Sequence, residues 1–207
     1  MSEETFVHPT ALVENGVEIG PGSSIWDHVH LRGPSRIGRE VSIGGKSYLA
    51  YDVVVGDRVK INSFVYVCAR VTIETGVFVG AGVTFTNDRA PRATTPDLAT
   101  RLPSEPDERT LATLVREGAS LGARSLIGPG LVVGRFAMVG MGAVVTRDVP
   151  DFALVVGSPA RVVGAVCRCG ERLASAEGGR LPDVEAVSCP GCDRRYAIAD
   201  GRVHEPR

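Results

Sequence analysis

The chain has 207 residues, a formal net charge of −1, and 43% hydrophobic but only 5% aromatic residues. This charge gives no basic field for nucleic acid or anionic lipid, so neither is predicted as a partner. The 25 glycines and 13 prolines indicate frequent turns rather than long helices. No run of 18 apolar residues is present and no apolar stretch follows Met1, so we expect a cytoplasmic protein without a membrane span.

An apolar residue recurs every sixth position from Val7 to Phe85, and the residue four places later is small or β-branched throughout. After a gap, both series resume at Val115 and continue to Val149. A strand alternates sides every two residues, so a sustained period of six indicates short strands joined by tight corners. A helix would need a period near 3.6. The pattern therefore predicts a mostly β protein, a parallel β-helix of hexapeptide repeats with three sides to each coil, stable only through stacking.

The repeat is interrupted between Phe85 and Val115, where the sixth positions hold two prolines, an aspartate and an arginine. Residues 86–114 are therefore predicted to leave the β-helix as an exposed loop. Long excursions from rigid scaffolds are often functional, although a tolerated surface insertion is the alternative.

The hexads end near residue 164, which divides the chain into a β-helix domain, 1–164, and a tail, 165–207. Residues 149–164 are expected to run extended along the end of the β-helix. Four cysteines in the tail form two close pairs with spacing similar to a zinc ribbon: Cys167, Cys169, Cys189 and Cys192. The first pair has one intervening residue instead of the usual two. We predict structural zinc, with disulfides or unligated thiols as alternatives, and no catalytic zinc because four thiolates leave no open position.

Two motifs accompany the hexads: Phe85-Thr86-Asn87-Asp88 with Pro91-Arg92 at the loop, and Val156-Gly157-Ser158-Pro159-Ala160-Arg161. Together they resemble the hexapeptide-repeat N-acetyltransferases of nucleotide-linked 3-amino sugars. The resemblance covers about residues 5–164 and excludes the cysteine tail. It implies a left-handed coil and a homotrimer with active sites between subunits. It also implies that acetyl-CoA lies along the β-helix wall.

The resemblance also suggests roles for four residues. Asn87 would hydrogen-bond near the reacting amine and thioester, with the leaving thiolate as proton acceptor. His30 matches a histidine in the family's N-terminal coil and is expected to line the cleft. Asp88 would hold the ammonium or a sugar hydroxyl, and Arg92 would clamp a phosphate through its planar fork. The chemistry agrees, because a neutral amine needs mainly alignment and a donor for the developing oxyanion.

For acetyl-CoA, Arg147 and Arg161 match basic positions that pair with its phosphates in such relatives. Gly122 and Gly140 would let the pantetheine arm approach the backbone. These glycine contacts are general to the fold and do not identify the substrate.

The sequence therefore predicts an acetyl-CoA-dependent N-acetyltransferase acting on a UDP- or dTDP-linked amino sugar, with the nucleotide, the sugar and the acyl length left open. An O-acetyltransferase would need a well-placed histidine base. A β-helical carbonic anhydrase would need three convergent histidines, whereas His28 and His30 share one hexad. A non-catalytic trimeric scaffold with a partner-binding tail is the third alternative.

Overall fold

The computed structural model describes residues 4–205, which form 26 strands and no helix. None of the elements in this part of the chain is therefore a long apolar helix of the kind that crosses a membrane. In chain order the strands are β1 Phe6–Val7, β2 Leu12–Val13, β3 Val17–Ile19, β4 Ser24–Ile25, β5 His30–Leu31, β6 Ser35–Ile37, β7 Ser42–Ile43, β8 Tyr48–Leu49, β9 Val53–Val55, β10 Lys60–Ile61, β11 Tyr66–Val67, β12 Val71–Ile73, β13 Phe78–Val79, β14 Thr84–Phe85, β15 Thr113–Val115, β16 Ser120–Leu121, β17 Leu126–Ile127, β18 Val132–Val133, β19 Met138–Val139, β20 Val144–Val145, β21 Ala153–Gly157, β22 Ala160–Val166, β23 Arg172–Ser175, β24 Val184–Ser188, β25 Arg195–Ala199 and β26 Arg202–His204.

Every third strand stacks on the one before it, so the coils build three parallel sheets. The first sheet runs β1-β4-β7-β10-β13-β16-β19-β21, the second β2-β5-β8-β11-β14-β17-β20, and the third β3-β6-β9-β12-β15-β18. In the second sheet, for example, Leu12 pairs with His30 and His30 with Tyr48. The predicted parallel β-helix of hexapeptide repeats is confirmed.

The sixth-position residues fill the interior, and from Ile25 onward they are buried. Val7, in the first of the described coils, is 41% exposed. Most buried serines in the companion series are hydrogen-bonded: Ser23 Oγ donates to Gly38 O at 2.9 Å and accepts from Val41 N at 3.0 Å. Ser35 and Ser47 make the same two kinds of hydrogen bond, whereas the Oγ of the buried Ser125 has no partner among the described residues.

Two corner positions have different backbone requirements. A Cβ added at Gly44, directly after a sixth-position residue, would lie 2.6 Å from Ser63 N of the next coil. The position two residues after Gly44 has a left-handed backbone. Residues other than glycine nevertheless occupy the equivalent position in other coils, for example Arg58 (φ 53°) and Phe64 (φ 62°). Gly44 is therefore required by the close approach of the next coil and not by a positive φ.

The loop excursion spans residues 86–112 and ends two residues earlier than predicted. Strands of the third sheet before it are three residues long, and β15 keeps that length because Thr113 pairs with Val71. Arg70 on the scaffold fixes the end of the loop, since its Nη1 donates to Asp107 O at 2.9 Å and to Thr110 O at 3.2 Å.

Beyond the last coil the chain turns back on itself. β21 pairs antiparallel with β22, and β22 with β23, so residues 149–164 include a hairpin and the first sheet continues into the tail. The boundary expected at residue 164 lies inside β22, whereas β24–β26 form a separate three-stranded sheet. A second apolar core joins the tail to the β-helix end, with these buried members: Phe152, Ala165, Cys167, Leu181, Cys189, Tyr196, Ile198 and Val203.

Candidate functional site

A cleft of about 930 Å³ lies between the loop excursion and the outer face of the second sheet. Its wall includes Tyr48 and Tyr66, and its roof is formed by loop residues 90–110. Three residues predicted to act on the substrate line it together: Asn87, Asp88 and Arg92. The excursion therefore covers a cleft on the scaffold, and all three of these predicted residues line it.

Asn87 lies at the corner after β14, where the chain leaves the β-helix. Its backbone oxygen accepts a hydrogen bond from Leu111 N at 2.9 Å, which closes the base of the loop. Its side-chain Nδ2 has one long contact, 3.5 Å to Ala69 O. The backbone thus holds the residue in place, while most of the hydrogen-bonding capacity of the amide is available to a ligand.

Two guanidinium groups that line the cleft, those of Arg92 and Arg109, form no salt bridge among the described residues. Arg92 Nη1 donates to the neighbouring Pro91 O at 2.8 Å, and Asp88 accepts from Ala90 N at 3.3 Å in a local turn. That Arg109 lines the same cleft as Arg92 could not be predicted from the sequence, because the loop has no periodicity.

A polar and aromatic ladder follows the outer face of the second sheet. Glu14 Oε1 lies 2.8 Å from His30 Nε2 and 2.6 Å from Arg32 Nε, and Arg32 Nη1 donates to the Tyr48 hydroxyl at 3.1 Å. The hydrogen bond to His30 lowers the pKa of Glu14, and Arg32 acts in the same direction. The Tyr48 ring stacks on Tyr66 at 5.4 Å between centroids. Residues 18 apart in the sequence, one coil of the β-helix, lie next to each other on this face, so the spacing alone could have predicted that His30, Tyr48 and Tyr66 are neighbours.

His30 is held at the edge of the cleft. Its ring meets Tyr48 edge-on at 5.2 Å and its Nε2 faces Glu14, but it does not line the cleft itself. Contact between His30 and substrate therefore remains a prediction of the family resemblance.

Cys68 lines the cleft but is not an activated nucleophile. It is 3% exposed, and burial raises the pKa of its thiol to about 12. A thiol with such a pKa stays protonated near neutral pH and reacts poorly.

Gly122 and Gly140, predicted to approach acetyl-CoA, lie at the corner between the first and second sheets. A Cβ at Gly122 would lie 2.5 Å from Met141 N, and one at Gly140 would lie 2.7 Å from the Val156 side chain. Both glycines are therefore already required by coil stacking, and an approach of pantetheine would be an additional role.

The two arginines predicted to bind acetyl-CoA lie at different corners of one chain. Arg161 pairs with Val156, next to the Gly140 corner, and its Nη1 donates to Ala160 O at 2.9 Å. Arg147 lies two coils beyond Asn87, at the same corner position. Both are exposed. They do not converge within a chain, and their role stays a prediction.

The four tail cysteines converge, as predicted. Their Sγ atoms all lie within 4.8 Å of one another, with Cys167–Cys192 and Cys169–Cys189 at 3.4 Å, and no disulfide is present. Four thiolates around a tetrahedral zinc, with bonds of about 2.3 Å, would lie roughly 3.8 Å apart. Gly191 N also donates to Cys189 Sγ at 3.4 Å. The donor set and its spacing fit a four-thiolate metal site.

The cysteine cluster is docked on the end of the β-helix. Arg168, between the first two cysteines, contacts Glu205 through Nε and Nη2 at 2.5 and 2.6 Å and lies 4.5 Å from the centroid of the Phe136 ring. Tyr196 packs edge-on against Phe152 at 5.7 Å. Its hydroxyl lies 3.1 Å from the Sγ of Cys167. These contacts link the cluster to the last coil.

Comparisons with known proteins agree with this architecture. Residues 52–87 match the family model described as bacterial transferase hexapeptide (six repeats). The chain is 42% identical over 93 residues to a dTDP-3-amino-3,6-dideoxy-alpha-D-galactopyranose 3-N-acetyltransferase of Aneurinibacillus thermoaerophilus, which covers 45% of this chain and 44% of that protein. A shorter match, 53% identical over 36 residues, covers 17% of this chain and 13% of an acyl-[acyl-carrier-protein]--UDP-N-acetylglucosamine O-acyltransferase of Brucella anthropi.

Among solved structures, a variant of AntD, an N-acyltransferase from Bacillus cereus in complex with dTDP and Coenzyme A, superposes with a TM-score of 0.52. The two chains are 21% identical, and the match covers 75% of this chain and 82% of that one. This similarity establishes the shared fold. Because the chain spans less than half of the first curated relative, substrate and activity must be argued from its own site.

Proposed function

We propose that this chain, a hexapeptide-repeat β-helix protein related to nucleotide-sugar N-acetyltransferases, transfers an acetyl group from acetyl-CoA to the amino group of a UDP- or dTDP-linked amino sugar. One observation carries the proposal. The Asn87 amide, the Asp88 carboxylate and two arginines without carboxylate partners line one cleft. Such a cleft can bind an amine and phosphates simultaneously.

The proposed mechanism depends on positioning. Asp88 orients the substrate amine, and Arg92 with Arg109 binds the diphosphate through charge-assisted hydrogen bonds. The neutral amine attacks the thioester carbonyl carbon of acetyl-CoA directly, and Asn87 Nδ2 donates to the oxyanion that develops. As the tetrahedral intermediate collapses, the C–S bond breaks and the leaving CoA thiolate accepts the proton that the amine loses. Asn87 is suited to this role because its backbone bond to Leu111 fixes it before the substrate arrives.

An active site between subunits of a homotrimer would reconcile the positions of the residues assigned to acetyl-CoA. Arg161, Gly122 and Gly140 lie at one corner of the coil and Arg147 and Asn87 at another. In a homotrimer, the corner of a neighbouring subunit that carries Arg161, Gly122 and Gly140 can lie against the corner of this chain that carries Arg147 and Asn87. Both groups of residues would then line one groove between the two subunits.

For the tail, we propose a structural zinc ion held by Cys167, Cys169, Cys189 and Cys192. The close packing of their four sulfur atoms supports it. With all four positions occupied by protein, the ion would stabilise the tail and take no part in the reaction.

The function is tested by thiol release from acetyl-CoA with a panel of UDP- and dTDP-linked amino sugars and their matched hydroxyl sugars. We expect release only with an amino sugar, because the cleft has no histidine on its wall to deprotonate a hydroxyl. Release with hydroxyl sugars would instead indicate O-acetylation and assign a role to the His30–Glu14 pair. If no sugar of the panel causes thiol release and acetyl-CoA does not bind, the protein would be a non-catalytic scaffold.

A further inference from the structure

The aromatic ladder of the second sheet stops abruptly. Its outward side chains, one per coil and paired in register, are Leu12, His30, Tyr48, Tyr66, Thr84, Leu126 and Val144. The rings of His30, Tyr48 and Tyr66 contact one another in sequence. Tyr66 is the last of these rings, and Thr84 in the next coil has a side chain too short to cover it.

The space beyond Tyr66 has the dimensions of one further ring. Coils are spaced by about 4.8 Å, so Leu126, two coils beyond Tyr66, lies roughly 10 Å away along the β-helix axis. Aromatic rings pack with centroids about 4.5–7 Å apart, so one planar group fits over Thr84. Tyr66 is 45% exposed, although it lines the cleft.

Tyr66 is also held in a fixed orientation. The Tyr48 ring lies behind it with only 5° between the two planes. Tyr48 is in turn fixed by the hydrogen bond from Arg32 and by its contact with His30. A ligand ring that stacks on Tyr66 therefore meets a surface that is already ordered, which lowers the entropy cost of binding.

We propose that the exposed face of Tyr66 is the stacking platform for the nucleobase of the nucleotide-linked substrate. The proposal rests on the proposed function, because the same cleft holds the arginines suited to a diphosphate and the Asn87–Asp88 pair suited to the amino sugar. A uracil or thymine ring is the planar group such a substrate carries. The adenine of acetyl-CoA is a weaker candidate, since Arg147, which is assigned to acetyl-CoA on this same sheet, lies three coils further along the β-helix than Tyr66.

Stacking has a consequence for specificity. Every base presents a π face, so an aromatic platform tolerates different bases. Tyr66 is therefore expected to bind UDP and dTDP with similar affinity. Discrimination between these nucleotides, where it occurs, would come from contacts to the edges of the base.

The test is calorimetric titration of UDP and dTDP, without any sugar, into the full metal-loaded chain. Removing an aromatic platform costs about 1–3 kcal/mol per base, so Tyr66→Leu should weaken both nucleotides by about 5- to 150-fold. Tyr66→Phe should stay within about twofold because the ring is kept. Phe78→Leu, a matched change at a half-exposed ring outside the cleft, should have no effect on affinity.

A second readout monitors the stack directly. The H6 proton and the methyl group of dTDP should shift upfield on binding to the wild-type and Tyr66→Phe proteins and not on binding to Tyr66→Leu. Equal affinity of wild type and Tyr66→Leu, with turnover of amino sugars intact, would overturn the platform and leave the N-acetyltransferase standing. If Tyr66→Leu lowers the affinity for acetyl-CoA and not for UDP or dTDP, the platform binds the adenine of acetyl-CoA and the proposal is overturned. If the wild type binds neither nucleotide, the nucleotide-linked substrate itself is wrong.

Discussion

Changing Cys167 and Cys189 to serine together is expected to abolish the metal content of the protein and to unfold its tail. Each of these cysteines is buried and belongs to a different close sulfur pair, so both halves of the proposed zinc site lose a ligand. Binding of structural zinc contributes about 10–16 kcal/mol in small zinc-finger peptides. The tail has only a small apolar core shared with Phe152, so it cannot replace a contribution of that size.

The measurement is zinc per chain by elemental analysis, with limited trypsin digestion of the same preparations. Wild type should carry about one zinc, and the variant should carry none. The variant should be cut rapidly after exposed arginines of the tail, such as Arg172, Arg180 and Arg194. The coils of the β-helix should resist, because their core from Ile25 to Val155 is formed by the coils themselves. Cleavage after exposed loop arginines such as Arg92 and Arg109 should be the same in both preparations.

Cys68→Ala is the matched control, since it removes a buried cysteine far along the chain from the cluster. Its zinc content and its digestion pattern should equal those of wild type. A metal-free wild-type protein with a protease-resistant tail would contradict the zinc proposal and leave unligated thiols as the alternative.

The repeating part of the fold could be predicted from the sequence because one physical requirement acts at every coil. Every sixth residue must fill the interior and is therefore apolar, as Ile43 and Leu121 are, so the requirement can be recognised in the sequence. The excursion ends two residues before the predicted boundary, because Thr113 belongs to β15, which like the preceding strands of its sheet has three residues and not two. The position of the apolar residue does not reveal that difference in length.

The candidate site could be predicted only in part, because most of its residues are not constrained by the repeat. Asn87 and Asp88 lie at the point where the hexapeptide repeat stops, so the sequence marks them, and both line the cleft. Glu14 and Arg32 lie on an outward face where many residue types are tolerated, so only their contact in space shows that they belong together. Arg109 is placed by the path of an aperiodic loop, which depends on specific anchors such as the hydrogen bonds from Arg70.

Changing Asn87 to alanine is expected to lower turnover by about 100- to 1,000-fold, the range found when one oxyanion donor is removed from an enzyme. The affinity for acetyl-CoA should change little, because the donor acts mainly on charge that develops during transfer. Steady-state thiol release with the accepted amino sugar and direct titration of acetyl-CoA separate these two quantities.

The matched control is Asn15→Ala, because Asn15 has the same corner position in an early coil and lies outside the cleft. It should keep wild-type turnover, which would show that truncating a corner asparagine does not by itself disable the scaffold. Asn87→Asp separates the two functions of the amide, since it keeps an acceptor of the same shape and removes the Nδ2 donor. If the donor carries the effect, Asn87→Asp should be as slow as Asn87→Ala. Unchanged turnover in Asn87→Ala would remove the residue from the mechanism and leave a backbone N–H of the cleft wall as the group that must stabilise the oxyanion.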